Sequence, residues 1–145
     1  MILARIDRQT WLERFAKDAH MSVFGYECPD YDNTMFDYAI LVLDVSDKPL
    51  SYVLVKEMKK HSFYIEYGGS FPEFRASTKV PKSFYFILDE MKKLGFKECT
   101  LMTHVDNVPM QKLALFCGFR VFGVTQGSHG LCLEYRVNLI KEESK

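Results

Sequence analysis

Neither sign of charge is in excess in this chain. Nineteen lysines and arginines face nineteen aspartates and glutamates over 145 residues, a formal net charge of zero. A protein living by broad contact with phosphate backbones carries a basic excess, so nucleic acid is not an expected partner. Cysteines are few: Cys28, Cys99, Cys117 and Cys132, with no CxxC spacing among them. That argues against a disulfide framework or a zinc site and predicts ordinary thiols in a reducing, cytoplasmic setting. Residues 1–7 (MILARID) include Arg5 and Asp7 and so make no signal-peptide core. No apolar run reaches the roughly 18–20 residues of a membrane span, so no membrane partner is expected. Repeats, linkers and low-complexity stretches are also absent, which predicts one domain over residues 1–140 and a frayed tail over 141–145.

What the chain has in quantity is hydrophobic and aromatic volume. Hydrophobic residues make up 48% and charged residues 26%, and there are twelve Phe, eight Tyr and one Trp. This excludes disorder as the general state and supplies rings for a core. A chain of this length buries roughly two-thirds of its unfolded surface on folding.

Periodicity predicts the elements. Residues 1–6 read as a strand. Trp11, Leu12, Phe15, Ala16 and Ala19 recur at helical spacing and predict one helix from Arg8 to about His20, with Thr10 and Glu13 resembling a capping box. Residues 26–36 read as a loop. Asp30, Asp32 and Asn33 within it suggest calcium, but the EF-hand pattern needs Gly and Glu where Met35 and Leu41 stand, so no metal is expected. Tyr38–Val45 and Leu50–Glu57 form a hairpin around Ser46-Asp47-Lys48-Pro49. His61–Tyr67 follows as a third strand, with Phe63, Ile65 and Tyr67 on one face, Tyr64 and Glu66 on the other, and Gly68-Gly69 ending it.

A helix is predicted over Lys82–Leu94, with Pro81 in its first turn and Gly95 closing it. Then come a strand over Lys97–Thr103 and a helix over Pro109–Cys117, capped from Asn107 or Val108 and stopped by Gly118. Two strands, Phe119–Thr125 and Leu131–Val137, finish the chain. Strands and helices interleave, so the expected fold class is α/β: one mixed sheet covered by helices on both sides.

At this point three patterns resemble the GCN5-related N-acetyltransferases, and the resemblance spans nearly the whole chain. In Asn107-Val-Pro-Met-Gln-Lys-Leu113-Ala-Leu-Phe-Cys-Gly118-Phe119, the Asn, the apolar residue six positions on, and Gly-Phe at eleven and twelve all match the family's habit. Leu94-Gly95-Phe96 and the strand after it look like the end of the family's long helix and its fifth strand. Phe71-Pro72-Glu73-Phe74-Arg75 resembles the Pro-x-x-Arg that precedes the loop for the coenzyme A pyrophosphate. In the family that loop reads Arg/Gln-x-x-Gly-x-Gly/Ala, and here it falls on Arg75, Ala76, Ser77, Thr78, Lys79 and Val80.

The two glycine positions are therefore Thr78 and Val80. Glycines there let backbone N–H groups approach phosphate oxygens at a helix N-terminus. Pro81 brings no N–H at all, while Lys79 and Lys82 bring side-chain charge.

The resemblance implies acetyl-CoA as co-substrate and an amine as acceptor. It implies Glu66 as general base against a plain solvent-facing Glu, and Tyr64 as a substrate-orienting group against a core aromatic. Phe71 would line a slot beside Gly68-Gly69, where the fourth and fifth strands splay in the family and the pantetheine arm fits; a simple turn explains the glycines equally. Asn107 would bond that arm or only cap its helix. Lys112 would reach a coenzyme phosphate or only solvate a helix face. His104 reads as a base, a substrate contact or a structural residue. Ala114 stands where the family's acid, a Tyr, is usual. Cys99 and Cys117 read as buried, and no Cys/His nucleophile pair can be assembled from spacing.

Glu27, Asp30, Asp32 and Asp37 would draw a cationic amine toward the cleft mouth. The last two strands often form homodimers in the family, which implies a contact through Phe119, Val121 and Phe122 or else three core residues. Two function classes stay open: an acetyl-CoA-dependent N-acetyltransferase, and a non-catalytic binding or structural protein that kept this fold and lost the cofactor.

Overall fold

A computed structural model describes residues 1–31, 35–127 and 130–140. The expectations that fall on Asp32 and Asn33, on Ser128 and His129 in the last turn, and on the 141–145 tail lie outside the described residues. Strand β1 (Ile2–Asp7) leads into helices α1 (Arg8–Arg14) and α2 (Ala16–Phe24). Three strands follow, β2 (Tyr38–Leu43), β3 (Pro49–Met58) and β4 (Ser62–Ser70). After a short 3₁₀ turn over Pro72–Phe74 come α3 (Lys79–Lys93), β5 (Glu98–His104), α4 (Val108–Phe116), β6 (Arg120–Gly127) and β7 (Gly130–Asn138). The seven strands form one sheet in the order β1-β2-β3-β4-β5-β7-β6. Every pairing is antiparallel except β4 with β5.

The strands' alternation splits the core into two layers. Val53, Val55, Phe63, Ile65, Cys99, Leu101 and Tyr135 point to one face, where Phe84, Ile87, Leu88 and Met91 of α3 and Ala114 of α4 cover them. Tyr52, Leu54 and Ala39 point to the other, under Trp11 of α1 and Ala16, Ala19 and Val23 of α2. Cys99 and Cys117 are buried as expected. Of the three residues expected either at a homodimer contact or in the core, Phe119 is core, while Val121 and Phe122 are about half exposed.

Five expectations need correcting. The first helix is two helices, broken at Phe15 (φ −123°, ψ −33°), whose N–H still bonds the Trp11 carbonyl. Its cap is Asp7 rather than Thr10: the Asp7 carboxylate accepts the Thr10 N–H at 2.9 Å and the Thr10 hydroxyl at 2.7 Å. The long helix begins at Lys79, three residues early, with Pro81 still inside its first turn where the missing N–H costs nothing.

The fourth correction matters most. Leu54 pairs with Tyr67 while its neighbour Val55 pairs with Ile65, so Glu66 is an extra residue in β4. This β-bulge resets the alternation. Phe63 and Ile65 stay on the α3 face, and Tyr67 packs instead with the α1–α2 layer.

Nor do Gly68 and Gly69 end the strand; β4 runs through them to Ser70. Gly69 is required by contact: a Cβ there would lie 2.4 Å from Val23 Cγ1. Val23 is buried and, being β-branched on a helix, has little rotamer freedom. Gly69→Ala should therefore cost about 1–3 kcal/mol, a fall of roughly 3–10 °C in Tm by thermal unfolding. Adding Val23→Ala should recover part of it. A Tm unchanged in the single variant would refute the close approach of α2 to β4.

Candidate functional site

The parallel pairing of β4 with β5 is short. It joins Ser62–Ile65 to Glu98–Leu101 and stops there. Beyond it β4 stays paired with β3 as far as Ser70, and β5 stays paired with β7 as far as His104. The bulge at Glu66 begins where the β4–β5 ladder ends. The sheet thus opens at its centre into a cleft bordered by the unjoined edges of Glu66–Ser70 and Met102–His104, each held rigid from behind. At the base of the opening a cavity of about 10 Å³ is lined by Ile65, Leu101, Met110, Leu113 and Ala114 among others. Space of that size takes one water at most, and its apolar walls give a water no partner.

Glu66 is half-buried beside this opening. Burial raises its carboxyl pKa above the usual carboxylate range, and Lys56 on the neighbouring strand offsets part of that. Tyr64, also half-buried, has its hydroxyl pushed up to about 12, chiefly by burial and then by the charges of Glu66, Cys132 and Glu134. Cys132 and Glu134 alternate along β7 with Leu133 and Tyr135, which pack on the α3 side, so they lie on the other face of the sheet. His104 sits at the open end of β5, with Nδ1 3.5 Å from Asp106 Oδ2 and accepting the Asp106 N–H at 3.3 Å.

The loop that should hold a pyrophosphate is built differently from a glycine cradle. Ala76 takes the left-handed conformation, φ +64°. The Ser77 hydroxyl accepts the Lys79 N–H at 2.9 Å, and the Ser77 carbonyl accepts the Val80 N–H at 3.3 Å. With Pro81 next, the amides that would face an anion are spent inside the loop or missing. Thr78 occupies the cap position of α3 without a side-chain cap bond. Lys79 extends its ammonium toward Asp44, 3.8 Å away, and over the Phe74 ring at 5.4 Å. Val80 packs half-buried against the α3-side core, and the Val80 carbonyl takes the Ser83 hydroxyl at 2.7 Å.

Arg75 is turned inward. Its guanidinium donates to the Val23 carbonyl at the end of α2, and Nε donates to the Ser70 carbonyl at 3.4 Å. Phe71 lies at the end of β4 with its ring centroid 6.0 Å from that of Tyr52. Asn107 is exposed and caps α4, accepting the Met110 N–H at 3.2 Å, and Lys112 is an exposed residue on α4. Ala114, at the position of the family's usual acid, is 1% exposed and part of the core.

Sequence reasoning did not find a group of polar atoms buried behind the bulge. His20, fully buried, holds the Tyr31 hydroxyl on Nδ1 at 3.0 Å and stacks among Phe24, Tyr26 and Tyr67. Burial lowers its pKa, so the ring stays neutral at neutral pH. No spacing pattern ties His20 to Tyr31, because the loop between them sets the contact.

Glu66 gives a test of this placement. Its folded pKa lies above the unfolded value, so the strain of a buried carboxylate is absent below the unfolded pKa and sets in as pH rises through the folded one. Glu66→Gln should raise Tm near neutral pH by on the order of 1 °C, discounted for the solvent that reaches the group. The gain should vanish in acid, where the wild-type carboxyl is protonated. Equal Tm differences at both pH values would show that Glu66 is not desolvated.

No protein-family model and no curated protein matches this sequence. Solved structures do. An IAA acetyltransferase from Bacillus cereus superposes with a TM-score of 0.75 at 12% identity, covering 94% of this chain and 98% of its own. The ribosomal-protein-S18-alanine N-acetyltransferase from Escherichia coli gives 0.72 at 9% identity, with 99% of each chain covered. A Bacillus subtilis acetyltransferase in complex with CoA gives 0.62 at 11%, covering 71% of this chain and 77% of that one. Identities this low speak for architecture alone. With its splayed central strands, the chain has the fold of the GCN5-related N-acetyltransferases.

Proposed function

We propose that this protein is an acetyl-CoA-dependent N-acetyltransferase that acylates an amine. The observation that carries the reading is the opening between β4 and β5, with the bulge at Glu66 on its rim. Two unjoined strand edges offer backbone donors and acceptors to an extended arm bearing amides, as an added strand would use them. The residues fit such a group at the opening, where the Glu66–Ser70 and Met102–His104 edges and Phe71 would hold it. When bound, acetyl-CoA supplies an activated acyl group as a thioester.

The chain's own groups then have definite work. Glu66 accepts a proton from the acceptor amine, and its raised pKa makes it a stronger base than an exposed carboxylate. Tyr64, neutral at working pH, orients the acceptor by hydrogen bonding. Lys79 and Lys82 bring charge toward the phosphates, Arg75 anchors the head of the loop to α2 and β4, and Ala76, Ser77, Thr78 and Val80 shape the loop. Asn107 and Lys112 flank the α4 side. The acidic residues of the 26–31 segment, Glu27 and Asp30, and Asp37 beyond it favour a cationic acceptor. A spermidine N-acetyltransferase chimera from Vibrio cholerae, 16% identical with a TM-score of 0.73 and 95% of each chain covered, shows this architecture serving an amine. We further place the protein in the cytoplasm on its thiol content.

One observation favours the second reading, a binding protein without the cofactor. The Lys79 and Val80 amides are already satisfied by Ser77, and Pro81 has none. On that reading the opening takes a partner segment instead.

Binding separates the two. Saturating acetyl-CoA, at about 100 times its Kd, should add roughly 2.7 kcal/mol to stability, or about 5–10 °C in Tm, with adenosine diphosphate as control. Glu66→Gln should leave that shift intact and lower kcat about 100-fold or more, read as CoA thiol release with spermidine and with a peptide bearing N-terminal alanine. No shift at millimolar acetyl-CoA would refute the enzyme reading and leave the binding one.

A further inference from the structure

The two halves of the expected donor site disagree. Between β4 and β5 the slot is open. From Glu66 to Ser70 the β5 side of β4 is unjoined, about 13 Å of edge at roughly 3.3 Å per residue. An extended arm bearing amides can pair there as an added strand does. At the outer end, where the pyrophosphate of a coenzyme would follow, the loop before α3 is closed on itself.

A helix N-terminus holds an anion through backbone N–H groups that lack partners of their own. Here the Ser77 N–H donates to the Phe74 carbonyl at 3.1 Å, the Lys79 N–H to the Ser77 hydroxyl oxygen at 2.9 Å, and the Val80 N–H to the Ser77 carbonyl at 3.3 Å. Pro81 has no N–H. From Ser77 to Pro81 that leaves the Thr78 amide, and a single amide does not clamp a diphosphate. The side chains are engaged as well. Arg75 points inward to the Val23 and Ser70 carbonyls. The Lys79 ammonium faces Asp44 Oδ2, 3.8 Å away. Asp44 is buried, and its Oδ1 accepts the Ser46 and Lys48 N–H groups at 2.8 and 3.1 Å, so its carboxylate is a fixed anion beside the loop. A phosphate arriving at Lys79 meets that charge as a repulsion. Lys82 is exposed, where salt screens its pull on an anion.

We propose that the donor is recognised by its pantetheine arm alone, because Ser77 and Asp44 already engage the groups that a pyrophosphate needs. The proposal rests on the acetyltransferase reading and names its donor class: acyl thioesters of a pantetheine arm, with no demand for the nucleotide. The thioester end of the arm lies toward Glu66, where the ladder between β4 and β5 stops, and the distal end toward Ser70 and Phe71. Beyond Phe71 the nucleotide of acetyl-CoA stays in solvent. This also accounts for Thr78 and Val80 at the two glycine positions, since a backbone that meets no phosphate has no need of glycine.

The test is calorimetric titration of the full chain with acetyl-CoA and with S-acetylpantetheine at one ionic strength. The two Kd values should agree within about 3-fold. A working cradle of even two charge-assisted hydrogen bonds would make acetyl-CoA more than about 100-fold tighter. A gap of that size, or binding of acetyl-CoA without S-acetylpantetheine, would overturn the proposal and keep the acetyltransferase reading. Binding of neither thioester would sink that reading, and this proposal with it. Ser77→Ala gives the second measurement. By releasing the Lys79 N–H it should tighten acetyl-CoA about 3-fold or more and leave S-acetylpantetheine where it was. Unchanged or weaker acetyl-CoA binding in that variant would overturn the proposal, because Ser77 would then not be holding the loop shut.

Discussion

The contact between Val23 and Gly69 is the constraint on which the site depends. Helix α2 can lie this close to β4 only because Gly69 has no side chain, and Arg75 then locks the arrangement by donating to the Val23 carbonyl and, through Nε, to that of Ser70. One guanidinium therefore ties the last turn of α2, the end of β4 and the loop before α3 together. Such a tie works because carbonyls at a helix C-terminus lack partners within the helix. Held on that side, β4 can part from β5 after Ile65 without losing its pairing to β3. The opening is thus a property of how β4 is anchored, not of weak pairing along it.

The bulge at Glu66 follows from the same demand. A strand that keeps its register with β3 while turning away from β5 must bend, and one extra residue bends it. The insertion also decides where side chains go. With strict alternation Tyr67 would join Phe63 and Ile65 under α3; the bulge moves it to the α1–α2 layer, against His20 and Phe24. Glu66 is left at the rim of the cleft, half-buried and with a raised pKa. A single backbone irregularity thereby shapes the opening and leaves a half-buried carboxylate on its rim.

This explains what could be read in the sequence. Strand and helix identities were legible wherever apolar spacing was unambiguous, as in Tyr38–Leu43 and across Phe84, Ile87, Leu88 and Met91. The Asn107 cap and the Gly118 stop were legible because each is a local hydrogen-bond or dihedral requirement. The break at Phe15 was not, since neither Gly nor Pro marks it and the apolar stripe runs through. The bulge was not, because Tyr64-Ile65-Glu66-Tyr67 alternates without a flaw and only the partner strand reveals the extra residue. The inward turn of Arg75 and the approach of Lys79 to Asp44 were equally hidden: both join residues whose proximity is set by strand order.

On the proposed reaction, a departing thiolate must receive a proton. Ala114 lies in the packed core and has no proton to give, so the donor must come from the open face of the sheet. Tyr64 and His104 are the groups there with a proton to lend. A phenol held near a pKa of 12 by burial and by neighbouring negative charge gives up its proton poorly, and a thiolate is too weak a base to draw it off. The His104 ring is held by Asp106, whose N–H bonds Nδ1 at 3.3 Å and whose carboxylate lies 3.5 Å from the same nitrogen. On the proposed reaction, His104 at the border of β5 and β7 and Glu66 across the opening are the two groups placed to exchange protons with sulfur and nitrogen. The two groups stand on opposite banks of the cleft, parted by the splay of β4 from β5.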